Sequence, residues 1–104
     1  MKTTVLFATA AALFVAQAAH AQADGAKLYA EKTCVACHGK DGKKPLTPEY
    51  PKIAGQNAKY VERQMQDIKS GARANGNSAA MKGVMHLVSD AEIKTLADYI
   101  ASLK

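Results

Sequence analysis

Cys34-Val35-Ala36-Cys37-His38-Gly39-Lys40-Asp41-Gly42 is the stretch on which the reading of this chain turns. Its first five residues spell C-x-x-C-H, the pattern that attaches c-type haem. Two thiols at this spacing at a helix end can each form a thioether to one porphyrin vinyl group. His38 is then held beneath the iron as an axial ligand, and its imidazole must be neutral to bind. Three other chemistries use cysteines in a similar way. A zinc site wants four nitrogen or sulfur ligands, and His86 is the one imidazole left outside the motif once the leader described next is gone. A thioredoxin-like site wants a βαβ pattern, which the sequence lacks. A disulfide between positions 34 and 37 would close too short a loop to restrict the unfolded chain. It would also explain neither His38 nor the long loops that follow.

Upstream of the motif the chain reads as an export leader. Met1-Lys2 gives a positive start, Val5 to Ala19 is almost wholly apolar and Ala-rich, and small residues follow in A-x-A form at Ala19-His20-Ala21 and Ala21-Gln22-Ala23. That is the layout of a secretory signal peptide, residues 1–23, cut after Ala21 or Ala23. The apolar run is too short for a stable span of about 20 residues, so no membrane insertion is expected. The working domain is residues 24–104, and the location read from the leader is periplasmic.

Removing 23 residues from 104 leaves 81. A core of that size rarely supplies more than about 3–5 kcal/mol, so such domains need a staple. With no useful disulfide, something large must fill the interior. Lys2 leaves with the leader, so 14 basic residues become 13 against 9 acidic ones, a balance of about +4. An exported chain with no basic run and no nucleic-acid module does not read as a nucleic-acid binder. An acidic protein partner fits that charge better.

Three main helices are expected, and no segment alternates as a strand does, so the class is all-α. The first helix runs from about Asp24, a plausible N-cap, to Thr33. A loop rich in breakers follows, with Gly39, Gly42, Pro45, Pro48, Pro51 and Gly55. An unstructured loop of that length in so small a domain suits the wrapping of a large ligand. The second helix spans about Ala58 to Ser70, capped by Asn57 and ended by Gly71, with Val61, Met65 and Ile68 on its core face. Residues 71–88 read as a second loop. The last helix opens on a Ser89/Glu92 capping box and carries the stripe Ile93, Leu96, Ala97, Ile100, Leu103.

Along nearly its whole mature length the sequence resembles the class I c-type cytochromes. Gly25-x-x-x-Tyr29 resembles their N-terminal helix, Tyr99 the aromatic of their last helix, and CVACHGKDG their haem segment. Tyr50-Pro51-Lys52-Ile53-Ala54-Gly55-Gln56 and the following KYVERQMQDIKSGARAN resemble one bacterial branch. That branch includes dihaem periplasmic cytochromes and the haem subunit of flavocytochrome c sulfide dehydrogenase. The resemblance implies a class I cytochrome c fold around one covalent haem c, with Gly25 allowing the first and last helices to cross closely. It implies that Pro51 offers its carbonyl to the second ring nitrogen of His38. It also implies a methionine as second axial ligand, eight positions before the Ser that caps the last helix. Met81 stands there, Met85 falls where the branch has an apolar packing residue, and Met65 sits on the core stripe of the second helix. His86 is the remaining candidate, although a lone loop histidine is more often a solvated surface group.

A six-coordinate His/Met iron transfers electrons and does not readily bind oxygen, and methionine raises the potential relative to two imidazoles. No catalytic constellation appears, so the chain reads as a monohaem electron carrier rather than an enzyme. The alternative is a haem subunit held tightly by a larger redox enzyme, such as a flavoprotein sulfide dehydrogenase. The motif yields a direct expectation. Mass spectrometry of the mature holoprotein should show one added haem that acid-acetone does not extract; a colourless mature protein would overturn the reading.

Overall fold

The computed structural model describes residue 20 and residues 22–104. The leader read over residues 1–23 lies outside the described residues except at positions 20, 22 and 23. Five helical segments make up the described chain: α1 (22–31), α2 (Cys34–His38), α3 (Ala58–Ser70), α4 (Ser78–Met85) and α5 (Asp90–Ser102). No strand occurs among the described residues. The three longer helices are the expected ones. Asp24, read as a cap, lies inside α1, because the helix continues on its N-terminal side.

α3 and α5 begin and end where their capping residues put them. The Asn57 side chain accepts from the Tyr60 amide at 3.1 Å, and Gly71 closes α3 at φ 91°, returning its amide to Asp67 and Ile68. Ser89 and Glu92 bond reciprocally, Ser89 Oγ accepting from the Glu92 amide and Glu92 Oε1 from the Ser89 amide. The bond from the Ser89 amide, ahead of weaker help from Lys32, holds the Glu92 carboxyl below its ordinary range. Lys32, just past α1, lies 3.7 Å from the same carboxylate and so ties that end of α1 to the start of α5.

The core sits where these helices meet. Val61, Met65 and Ile68 of α3 face Ile93, Leu96, Ala97 and Ile100 of α5, joined by Tyr29, Met85 and Val88. Burying each large side chain is worth roughly 1.5–3 kcal/mol. The segment 71–88, read as a loop, contains α4. Met85 of this short helix is 1 % exposed and anchors it to the core, while Lys69 Nζ donates to the Val88 carbonyl at 2.5 Å and pins the α4–α5 link to α3.

α1 and α5 cross at Gly25. A Cβ placed there would lie 2.4 Å from the Cβ of Tyr99, closer than any real contact. One turn on, Tyr29 and Tyr99 pack as tilted rings with centroids 5.8 Å apart. Glycine inside a helix costs roughly 0.5–1 kcal/mol relative to alanine, and here the close approach offsets that cost. Gly25→Ala should therefore destabilise the protein despite its better helix propensity, by about 1–3 kcal/mol as overpacking usually does. Chemical denaturation of the two proteins side by side checks this; equal midpoints would mean that the helices separate freely.

Candidate haem-binding site

α2 is one short helical turn, and it sets Cys34, Cys37 and His38 close together. The turn from α1 into it is sharp. Thr33 adopts φ 65°, ψ 14°, a left-handed conformation that a β-branched residue rarely takes. On the far side Gly39 has φ 86°, and a Cβ there would meet the Lys44 carbonyl oxygen at 2.2 Å, so only glycine fits directly after His38. Both thiols are free and half-buried. Burial, chiefly, pushes the Cys34 thiol up to about 11, which keeps it protonated at neutral pH.

The loop after α2 folds back on it through backbone bonds. The Leu46 amide donates to the Cys37 carbonyl at 3.0 Å, and the Ile53 and Ala54 amides donate to the Gly42 carbonyl at 2.9 and 3.2 Å. Its far end is fastened to α5 by the Gly55 amide, 2.9 Å from the Ile100 carbonyl. Between these points the Pro51 carbonyl oxygen stands 2.9 Å from Nδ1 of His38. A carbonyl oxygen can only accept, so Nδ1 carries the proton and Nε2 keeps a free lone pair. His38 is 7 % exposed, so its orientation is set by the protein rather than by solvent.

The methionines divide by burial. Met65 and Met85 are buried in the core, at 6 % and 1 % exposure, whereas Met81 is half-buried and only packs against the core's edge. His86 is exposed and lines a shallow surface concavity with Gln66, Lys69, Ser70 and Asp90. Among the described residues no three His, Cys, Asp or Glu side chains gather as a metal-ion site. The donor set instead suits haem c: two thiols and, on the same helical turn, one imidazole whose Nδ1 is bonded and whose Nε2 is free. Sequence reasoning missed the hydroxyl of Tyr29, which donates to the Gly39 carbonyl at 2.6 Å. The aromatic was legible from its spacing to Gly25, but its polar contact with the haem segment was not.

The family model for cytochrome c matches residues 22–104. The chain is 42 % identical over 87 residues to cytochrome c4 of Pseudomonas aeruginosa, covering 83 % of this chain and 41 % of that relative. It is 43 % identical over 70 residues to cytochrome c-554(548) of Halomonas halodenitrificans, covering 67 % of this chain and 83 % of that protein. The crystal structure of reduced cytochrome c4 from Pseudomonas stutzeri superposes with a TM-score of 0.72 at 30 % identity, over 82 % of this chain and 49 % of that one. The chain thus spans less than half the length of the cytochromes c4 it matches. It belongs to the cytochrome c family. Membership brings a covalently bound haem c with its iron, and the Cys34/Cys37 pair fits the attachment motif.

Burial, first among several causes, pushes the Tyr29 hydroxyl from 10.0 up to about 12. The folded state therefore holds this proton more tightly than the unfolded chain. The stability this contributes is complete below pH 10 and is lost as pH rises through 12. The stability advantage of the wild type over Tyr29→Phe should accordingly be flat below pH 10 and shrink between pH 10 and 12. Denaturation curves across that range check this, and a gap independent of pH would mean that the hydroxyl ionises as freely as in the unfolded chain.

Proposed function

We propose that this chain is a periplasmic monohaem cytochrome that passes single electrons between redox proteins. Cys34 and Cys37 would hold the haem by thioether bonds, His38 and Met81 would ligate its iron, and Pro51 orients His38. The observation that carries this reading is the His38–Pro51 hydrogen bond, because it prepares Nε2 as a ligand on the same helical turn as the two thiols. Such a bond raises the basicity of a ligating imidazole and fixes its plane. Bound haem supplies the one-electron iron couple. The chain's part is to hold two ligands at fixed separation in an apolar setting, so that little rearranges when the charge changes.

Met81 is favoured because the core does not take it up, whereas Met65 and Met85 fill packing positions. Export rests on the leader. The bond from Gln22 Nε2 to Ser102 Oγ at 2.6 Å favours the cut after Ala21, which retains Gln22 in the mature protein. Among the described residues no helix is long and apolar enough to cross a membrane.

The partner face that fits best is acidic. Lys40, Lys43, Lys44 and Lys52 are all exposed on the loop that frames the motif, and none joins an ion pair among the described residues. Lys82 is half-buried; its ammonium lies 3.2 Å from where a Cβ on Gly71 would be, beside the carboxyl end of α3. The docking charge therefore rests on the first four.

Two experiments test this reading. Met81→Ala should abolish the weak charge-transfer band of Met-ligated ferric haem and lower the potential, while Met85→Ala should keep the band and lose about 2–5 kcal/mol of stability. Loss of the band in the Met85 variant alone would move the ligand one turn along α4. For docking, the Debye length falls from about 10 Å at 0.1 M salt to about 3 Å at 1 M. Electron transfer with the physiological partner should slow as salt rises, and reversing Lys43 and Lys44 to Glu should slow it at low salt only. A rate indifferent to both would indicate apolar docking or a permanently bound partner.

A further inference from the structure

Tyr29 is 2 % exposed, and its ring already has a packing role against Tyr99. A phenylalanine would pack there equally well, so ring packing does not account for the buried hydroxyl. It donates to the carbonyl of Gly39, the residue directly after His38, at 2.6 Å. That carbonyl also accepts the Gly42 amide at 3.2 Å. The Gly42 carbonyl in turn accepts the amides of Ile53 and Ala54, two and three residues past Pro51. Pro51 closes the circuit by accepting from His38 Nδ1 at 2.9 Å. A run of hydrogen bonds thus leads from α1, through the two glycines, to Ile53 and Ala54, and the backbone of Lys52 joins Ile53 to the residue whose carbonyl orients the imidazole.

The geometry of the glycines makes this run stiff. Gly39 and Gly42 have φ of 86° and 70°, and both are crowded: a Cβ on Gly39 would strike Lys44, and one on Gly42 would lie 3.2 Å from the Ala54 amide nitrogen. A turn packed this closely has little room to absorb a shift, so displacement of the Gly39 carbonyl passes on to Gly42 and to the stretch of loop after Pro51. The carbonyl of Gly39 lies at the end of α2, where helix carbonyls lose their intrahelical partners. The Tyr29 hydroxyl is the side-chain donor that supplies one.

We infer that the Tyr29 hydroxyl is a positioning residue for the His38–Pro51 hydrogen bond and thereby tunes the iron's ligand field from outside the ligand set. The inference rests on His38 being an axial ligand. A firm bond at Nδ1 gives the imidazole more electron density to share with a metal, which favours the oxidised state. Without the hydroxyl the Gly39–Gly42 turn loosens, the Pro51 carbonyl is held less well, and the oxidised state loses part of that support.

The test uses the full-length holoprotein as wild type, Tyr29→Phe and Tyr99→Phe, with three readouts: reduction potential, solvent exchange of the His38 ring N–H by nitrogen-15 NMR of the ferrous protein, and thermal unfolding. Tyr29→Phe should raise the potential and speed the ring N–H exchange severalfold. Tyr99→Phe, whose hydroxyl takes no part in the run, should leave both as in the wild type. A Tyr29→Phe protein that melts earlier but keeps the wild-type potential and exchange rate would overturn the inference and leave the hydroxyl a packing group. Equal shifts in both variants would overturn it too, since they would trace to the ring contact. A wild-type protein whose His38 ring signals show no porphyrin shift would instead bring down the axial-ligand reading on which the inference stands.

Discussion

A carbonyl oxygen cannot give up a proton, and that fact about Pro51 governs much of this small protein. It forces the proton of His38 onto Nδ1 and frees Nε2. Delivering that one oxygen to within 2.9 Å of the ring requires the long loop between α2 and α3 to hold its course without secondary structure of its own. The chain does this with backbone bonds. Leu46 is tied to Cys37, Ile53 and Ala54 to Gly42, and Gly55 to Ile100. Left-handed glycines make the corners at positions 39 and 42. The apparent excess of breakers in the sequence is the cost of a loop that must turn tightly around an imidazole.

Much of this was legible beforehand because it rests on local chemistry. Asn57 and Gly71 mark α3, and Ser89 with Glu92 marks the start of α5, through short-range bonds that the structure contains. The core faces of both helices follow from periodicity over thirteen residues each. The α1–α5 crossing was foreseen from Gly25, Tyr29 and Tyr99 through their likeness to the family's helix pair. Its physical basis is simple: a glycine inside a helix is unfavourable unless another chain comes too close for a side chain.

What escaped the sequence depends on approach between distant segments. α4 has eight residues, contains Gly83 and has no side-chain cap at Asn77, so it offered neither a stripe nor a start signal. Its helical form follows from Met85 being drawn into a core built by α3 and α5. The place of the Lys82 ammonium, at the end of α3, depends on α4 in the same way. The bond from Tyr29 to Gly39 joins residues ten positions apart across a sharp turn at Thr33, and no spacing rule announces it.

The bond between Gly55 and Ile100 bears on how the molecule opens. Proteins come apart locally in cooperative blocks, each exchanging its amides with solvent at its own free energy. The last turn of a helix ordinarily frays by itself. Here the carbonyl near the end of α5 is held by the loop, Tyr99 is pressed against Gly25, and Gln22 reaches Ser102. The final turn of α5 therefore cannot loosen without disturbing α1 and the Pro51 loop. The two outer helices and the support of the imidazole thus belong to one block, whose amide protons are retained or lost together.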